Sequence, residues 1–195
     1  FAENHKAASQ TALGGLFLIV NPDIRIPKGD VLSQIGELGQ ATGRPTLYAP
    51  VVVNPEGQVE DSVRNNLSPF NLLRRIVARR DGWESDPRQK SFFWLAGMFL
   101  TAPLSQYRAL GGFDQRFRLY CEDYDLSARW RIAGGELSVL RHVSVVHDAR
   151  RDSRRSFRHL RWHLRSLLRV WTSPPFWRIF LKVSTAAAPS AGWPR

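Results

Sequence analysis

The stretch from Leu110 to Leu126, LGGFDQRFRLYCEDYDL, decides how this chain is read. Gly111-Gly112 make a turn and Phe113-Asp114 follow. After a short aromatic and basic segment, Glu122, Asp123 and Asp125 crowd the start of a helical pattern. Three carboxylates so close repel one another unless a helix N-terminus, with its partial positive charge and unpaired N–H groups, or a bound cation offsets the repulsion. Two roles are open to them. Acidic residues that open a helix commonly cap it, whereas a carboxylate held beside a substrate takes or gives protons.

Working outward, the helix of about Glu122 to Ala133 closes at Gly134-Gly135, and Ser138 to His147 alternates like a strand that ends in His147-Asp148. On the other side, Pro103 opens a short helix that runs to Gly111-Gly112, because its fixed φ suits a first turn. Phe92 to Thr101 (FFWLAGMFLT) reads as one apolar strand. Further upstream, Gly15 to Val20 (GLFLIV) is a buried strand stopped by Asn21-Pro22-Asp23. That places Asp23 at a strand's carboxyl end, where open α/β sheets bind ligands. Val31 to Leu38 has helical spacing with Asp30 as N-cap. Thr46 to Val53 is a strand bent at Pro50, and Asn54 to Gly57 is a turn. Residues 62–90 read as a loop or short helix with an apolar patch from Phe70 to Ile76.

The chain has 195 residues, 43% of them hydrophobic, enough for one domain with an appendage and too apolar for wholesale disorder. Cys121 is the single cysteine, which excludes an internal disulfide framework and fits a reducing compartment. Beside two acids its thiol is a packed residue and not a nucleophile. No apolar run reaches the roughly 20 residues of a membrane span. The net charge of +11 is uneven: residues 1–149 hold 17 Lys and Arg against 16 Asp and Glu, whereas residues 150–195 hold 11 against one. The body is nearly neutral, with no basic platform and no nucleic-acid motif, so nucleic acid is not the expected partner. Basicity concentrated in one terminal segment marks a surface-docking element.

That element is a helix from Ser153 to Trp171. At about 100° per residue, Phe157, Leu160, Leu164, Leu167, Leu168 and Trp171 share one arc, and Arg154, Arg158, Arg161, Arg165 and Arg169 form a stripe beside it. Two arrangements suit such a helix. It docks on an anionic membrane surface, each arginine contributing about 1 kcal/mol, or it packs on the domain with its arginines outward. Trp162-His163 fit a membrane interface better than base stacking. Pro174-Pro175 and residues 186–192 read as loose tail.

Four segments in order resemble family 2 glycosyltransferases of the GT-A fold, especially bacterial rhamnosyltransferase-like members. Phe1 to Leu13 (FAENHKAASQTAL) is similar to the family's GF-x-x-N-x-x-x-A segment. Leu16 to Asp23 (LFLIVNPD) resembles its metal-loop strand, with Asn-Pro-Asp in place of Asp-x-Asp. Trp94 to Phe99 (WLAGMF) resembles the strand bordering the acceptor, and GGFD…YCEDYDL its base-bearing block, with His147 following 24 residues after Asp123. The resemblance implies an α/β, GT-A-like mixed sheet over residues 1–150, amino-terminally incomplete because relatives have about two more β/α units there, then a basic amphipathic helix and loose tail over 151–195. It implies Asp123 as catalytic base with Glu122 in support, Asn21 and Asp23 on the donor side, and Trp94, Gly97, Gly112 and Asp114 on the acceptor side. Asp23 and His147 are the implied ligands of Mg²⁺ or Mn²⁺.

The chemistry matches these residue types. A divalent cation stabilises the departing nucleotide diphosphate as a Lewis acid. Carboxylate oxygen suits Mg²⁺ or Mn²⁺, and Mn²⁺ accepts an imidazole as well. A carboxylate within reach deprotonates the acceptor hydroxyl. At a helix start Asp123 is expected to be anchored by backbone N–H groups with one oxygen left over and its ionised form favoured. With no second nucleophile, the expectation is single displacement with inversion, moving a sugar such as rhamnose from a nucleotide-diphosphate sugar to a cell-envelope or lipid-linked glycan, at the cytoplasmic face of a bacterial plasma membrane. Asn21 supplies no carboxylate where many relatives have one, which weakens the cation's hold. A catalytically inactive glycosyltransferase fragment, and behind it a basic nucleic-acid-binding protein, are the alternatives.

Overall fold

The computed structural model describes residues 2–27, 31–38, 43–78, 92–148 and 157–183. The expected Asp30 cap, Arg154 of the stripe and the 186–192 tail lie outside them. In chain order the elements are α1 (Ala2–Thr11), β1 (Leu16–Val20), β2 (Ile24–Arg25), α2 (Val31–Glu37), β3 (Thr46–Val53), β4 (Val63–Asn65), α3 (Pro69–Ala78), β5 (Phe93–Leu95), β6 (Phe99–Pro103), α4 (Leu104–Ala109), α5 (Glu122–Ile132), β7 (Glu136–His147), α6 (Phe157–Trp171) and α7 (Pro174–Val183).

A mixed five-stranded sheet runs β1-β6-β3-β7-β2, and β4-β5 form a separate two-stranded sheet. β3 and β7 pair in parallel at its centre; β6 is antiparallel to both β1 and β3. β3 is apolar almost throughout because a central strand between covered faces needs no alternation. Its register with β7 slips between Pro50 and Val51, the bend expected there: proline has no N–H to give the ladder. β1 and β7 lie where their apolar patterns put them.

The ten residues from Phe92 to Thr101 are not one strand. β5 pairs with β4 while β6 enters the main sheet, and Ala96-Gly97-Met98 turn between them. Two neighbours hold this turn, since the Ala96 N–H donates to Ser62 O (2.8 Å) and the Asn21 N–H to Met98 O (2.9 Å).

α5 is polar in sequence yet buried nearly all round, with Tyr124, Leu126, Ser127, Ala128 and Trp130 each at most 1% exposed. A helix enclosed on every side must satisfy its polar groups internally. Asp125 pairs with Arg129 at 2.7 Å, and the same guanidinium donates to Leu110 O and Gly112 O, both at 2.8 Å, tying the Gly-Gly turn to the helix. Gly112 has φ +66° and a Cβ there would sit 2.9 Å from the Tyr107 ring, so no other residue fits without displacing that ring.

The segment after 172 is not loose: Pro174–Val183 is a second terminal helix, for which proline in the first turn is a start and not a break. Leu167, Val170, Phe176 and Ile179 of α6 and α7 join Trp94, Tyr124 and Ala128 in one core cluster. α6 has three faces. Ser166, Leu167 and Val170 turn inward; Phe157, Leu160, Leu164 and Leu168 stand 54–81% exposed; and arginines separate the two on the far side. The apolar arc expected from the sequence is thus split, with Leu167 on the domain and most of the remainder facing solvent.

Candidate active site

The segment that delivers the carboxylates is held in an unusual conformation. Tyr120 (φ 73°) and Cys121 (φ 65°) are successive non-glycine residues in the left-handed region, each costing about 1–3 kcal/mol. Cys121 is the N-cap of α5 with no side-chain cap bond, so none of the three acids caps from that position. It is buried, and burial together with Asp123 and Glu122 drives its thiol far above the usual range, as a packed residue requires.

Asp123 accepts the Gly97 N–H on Oδ2 (2.9 Å) and the Tyr124 N–H on Oδ1 (2.9 Å). Both oxygens are therefore anchored, not one, and each keeps a further lone pair. A Cβ on Gly97 would lie 3.5 Å from the Asp123 Cβ, so the turn brings backbone against this side chain. The expected preference for the ionised form is not what the surroundings give. Burial raises the Asp123 pKa and outweighs the opposing pull of Arg64 and of the N–H groups. Glu122 is 7% exposed, its Oε2 has no hydrogen-bond partner, and burial followed by the Asp123 charge raises its pKa as well.

This has a consequence for stability. A carboxyl whose folded pKa is raised contributes most below its unfolded value, about 4.3, and loses that contribution as pH climbs through the folded value. Glu122→Gln removes the charge but keeps the shape. The variant is expected to gain on the wild type between pH 5 and pH 8 by at least about 1 kcal/mol, roughly 2–4 °C in Tm for a chain this size. Equal melting differences at both pH values would show that Glu122 is not strained by its charge.

At the other end of the 96–98 turn lies a second cluster. The turn closed by the Ile24 N–H on Asn21 O (3.1 Å) carries Asp23, and the register Ile24↔His147 sets His147 beside it. His147 Nε2 is 3.3 Å from Asp23 Oδ2, and Nδ1 is 2.6 Å from Glu60 Oε2. Asp23 Oδ1 is buried with no partner. An imidazole that gives its Nδ1 proton to Glu60 turns the Nε2 lone pair toward Asp23, an arrangement that calls for a proton or a cation between them. The donor set therefore fits Mg²⁺ or, with the imidazole, Mn²⁺. Among the described residues no group of three or more His, Cys, Asp or Glu could hold a metal, so a cation here would draw the rest of its shell from phosphates and water.

The remaining sequence candidates fall differently. Trp94 is 3% exposed, its Nε1 bonded to Asn65 O at 2.9 Å and the Arg64 guanidinium 5.1 Å from its ring. Asp114 is engaged by Arg116: burial acts to raise its pKa, but the Arg116 hydrogen bonds hold it below the usual range. Gly112 is the turn against Tyr107. Gly112 and Asp114 thus shape the loop before α5, and no hydrogen bond joins them to Asp123 among the described residues. Glu60 and Arg64 were missed; the His147–Glu60 contact joins residues 87 apart, and nothing local marks either residue.

Comparison with known proteins gives the class. No family model matches the chain. Over 77 residues it is 39% identical to the rhamnosyltransferase WbbL of Escherichia coli K12, covering 39% of this chain and 29% of that protein. Over 161 residues it is 26% identical to the N-acetylglucosaminyl-diphospho-decaprenol L-rhamnosyltransferase of Mycobacterium tuberculosis H37Rv, covering 76% of this chain and 52% of that one. The fold matches GalNAc-T7, solved with UDP, GalNAc and Mn²⁺, with a TM-score of 0.51 at 15% identity, over 78% of this chain and 30% of the other. The chain is thus a mixed α/β protein of GT-A-like glycosyltransferase architecture, related in sequence to bacterial rhamnosyltransferases. It spans about half the length of the mycobacterial relative and less than a third of the other two.

Proposed function

We propose that this chain is the acceptor-and-base portion of an inverting glycosyltransferase that moves a sugar, rhamnose on the strength of its relatives, from a nucleotide-diphosphate sugar to a lipid-linked cell-envelope glycan. One observation carries the reading. The 96–98 turn binds Asp123 through the Gly97 N–H and Asn21 through Met98 O, so a candidate base and the Asp23–His147 pair flank a single three-residue turn.

In this reading Asp123 takes the proton of the acceptor hydroxyl as that oxygen bonds the anomeric carbon. The bond to the donor diphosphate breaks and its electron pair leaves with the nucleotide. A cation at Asp23 and His147 supplies charge stabilisation to the leaving diphosphate when bound. Glu60 fixes the imidazole so that Nε2 faces Asp23. Arg64 adds positive charge beside Asp123 and favours the ionised form that burial disfavours. The exposed stripe of α6 with its arginines rests on the anionic inner leaflet of the plasma membrane, where a lipid-linked acceptor is presented. Among the described residues no helix is long and apolar enough to cross a membrane.

The test is transfer of labelled sugar from nucleotide-diphosphate donors to a polyprenyl-diphosphate glycan with Mn²⁺ or with EDTA. It is run on the chain alone and fused to the portion of its relatives that it does not span. Cation-dependent transfer by the fusion with inverted linkage supports the reading. A fusion that binds donor but transfers nothing would identify the chain as inactive. Within an active fusion, Asp23→Ala is expected to weaken Mn²⁺-dependent donor binding by about 10–100-fold in calorimetry and to leave cation-free binding unchanged; an unchanged Mn²⁺ dependence would remove Asp23 from the cation's shell.

A further inference from the structure

The segment that leads from the Gly-Gly turn into α5, Asp114 to Cys121, forms neither helix nor strand, and α6 holds most of it. Arg169 donates to Arg116 O, and its guanidinium stands 5.8 Å from the Phe117 ring. The Arg118 guanidinium stands 5.2 Å from the Trp162 ring. Ser166 Oγ donates to Leu119 O at 2.9 Å. Tyr120 Oη and His159 Nδ1 share a hydrogen bond of 2.8 Å, and the His163 ring lies 4.9 Å from the Tyr120 ring. Residues 116 to 120 thus each meet a single helix. At about 100° per residue, His159, Trp162, His163, Ser166 and Arg169 fall on one side of α6, and the exposed Phe157, Leu164 and Leu168 on the other.

What α6 holds is the strained part of the chain. Tyr120 and Cys121 both have left-handed backbone, a conformation that persists only where the surroundings impose it. Cys121 supplies no help of its own, since as N-cap it makes no side-chain bond. The Leu119 carbonyl and the Tyr120 hydroxyl are held by α6 instead. Leu167 and Val170 already fix α6 to the core cluster of Trp94, Tyr124 and Ala128, so these polar contacts are not needed to attach the helix. Their effect falls on the turn. Asp123 follows Tyr120 closely, and its Oδ2 must still meet the Gly97 N–H at 2.9 Å. Rotation of the left-handed pair would swing the carboxylate off that donor. We propose that α6 positions the base: Tyr120 through His159 and His163, and Leu119 through Ser166, keep the turn in the conformation that delivers Asp123 to the acceptor. They are positioning residues, acting through Asp123 and not on a reacting atom. The inference rests on the reading of Asp123 as the base and adds the element that fixes it.

Cys121, the single cysteine of the chain, is buried in this turn and reports its opening without any catalysis. Labelling of the native chain by a thiol reagent is expected to run about 3- to 10-fold faster in Tyr120→Phe and in Ser166→Ala, the factor that one hydrogen bond provides. The two together should give about 10- to 100-fold. His159→Ala should act as Tyr120→Phe does, and His159→Asn, whose amide can stand in for Nδ1, should restore slow labelling. The added labelling should not change with low urea, because a local opening exposes little surface. Unchanged labelling in the Tyr120→Phe, Ser166→Ala pair overturns the inference. Labelling that climbs with urea in step with global unfolding also overturns it, since the substitutions then weaken the whole fold. Leu164→Glu, on the far side of α6, should label as the wild type does; faster labelling there would make the effect a general loosening of the helix. In a form that transfers sugar, the pair is expected to lower kcat by the same factor, leave donor KM unchanged, and cost nothing further in Asp123→Asn, where no base is left to place. A loss that persists in Asp123→Asn overturns positioning. Full turnover by Asp123→Asn alone overturns the base instead and leaves the labelling result standing.

Discussion

Asp123→Asn, in a form of the protein that transfers sugar, is expected to lower kcat by about 10²–10⁴-fold, the range general-base catalysis supplies, and to change donor affinity by less than about twofold. The amide keeps the shape and can still accept the Gly97 N–H through its carbonyl oxygen. What it loses is the ability to take a proton as the acceptor attacks, an interaction that exists only in the transition state. The wild-type pH profile supplies a second reading of the same residue. Burial raises the Asp123 pKa, so the ionised base becomes available only as pH rises past an elevated value. The acidic limb of the rate profile should therefore lie above the ordinary carboxylate range and should be absent in Asp123→Asn. Because Glu122 is buried beside it and is raised for the same reason, the limb belongs to the pair and not to one carboxyl. Glu122→Gln removes the second carboxyl of the pair and should leave a single acidic limb that belongs to Asp123. An Asp123→Asn variant with full turnover would reduce the residue to an anchor for the 96–98 turn.

The parts of this arrangement that were legible in the sequence are those set by local pattern. β3 is an apolar run long enough to span a sheet, with its bend marked by Pro50. The bounds of α5 follow from the acidic start at Glu122 and from Gly134-Gly135 after its end. Asp23 and His147 were placed at strand ends by Pro22 and by the close of an alternating segment, and the antiparallel register of β2 with β7 makes them neighbours. What escaped was decided by partners far along the chain. FFWLAGMFLT carries one uninterrupted apolar signal, and only Ser62, Asn21 and Asp123, each bonded to the 96–98 turn, break it in two. Glu60 is an acid shortly after an ordinary turn until β3 and β7 pair and bring His147 over it. The Asp123 ionisation was misjudged for a related reason: a helix N-terminus favours the anion, but its effect is modest beside the desolvation of an acid packed against Gly97 and a second buried carboxyl. In α6 a helix with an inward face, an apolar outward face and an arginine face has more sides than a single apolar period describes.

That third side leads to the second large effect. Leu164→Glu with Leu168→Glu is expected to abolish binding to phosphatidylglycerol vesicles, at least about a 100-fold loss, while the chain stays folded. The two leucines are 54% and 61% exposed and belong to no core cluster, whereas Leu167 and Val170 on the adjoining face are 6% and 0% exposed and hold α6 to Trp94, Tyr124 and Ala128. A substitution at the exposed pair therefore tests the outward face alone. Burying a leucine is worth about 1.5–3 kcal/mol, so losing two removes about 3 kcal/mol or more, and each glutamate also meets a surface of its own charge. Trp177 and Leu181 of α7, 48% and 59% exposed, supply apolar surface of their own. Binding by the wild type should weaken with salt, since the arginine contribution is screened over about 8 Å at physiological ionic strength. A nucleic acid would show the same salt trend through the same arginines. The double substitution separates the two, because phosphate contacts on Arg158, Arg161 and Arg165 do not need Leu164 or Leu168 to enter anything. Retained binding to an oligonucleotide together with lost binding to vesicles identifies a lipid-facing helix; vesicle binding that survives the two glutamates would mean that the arginines alone hold the surface and that the apolar face has some other partner.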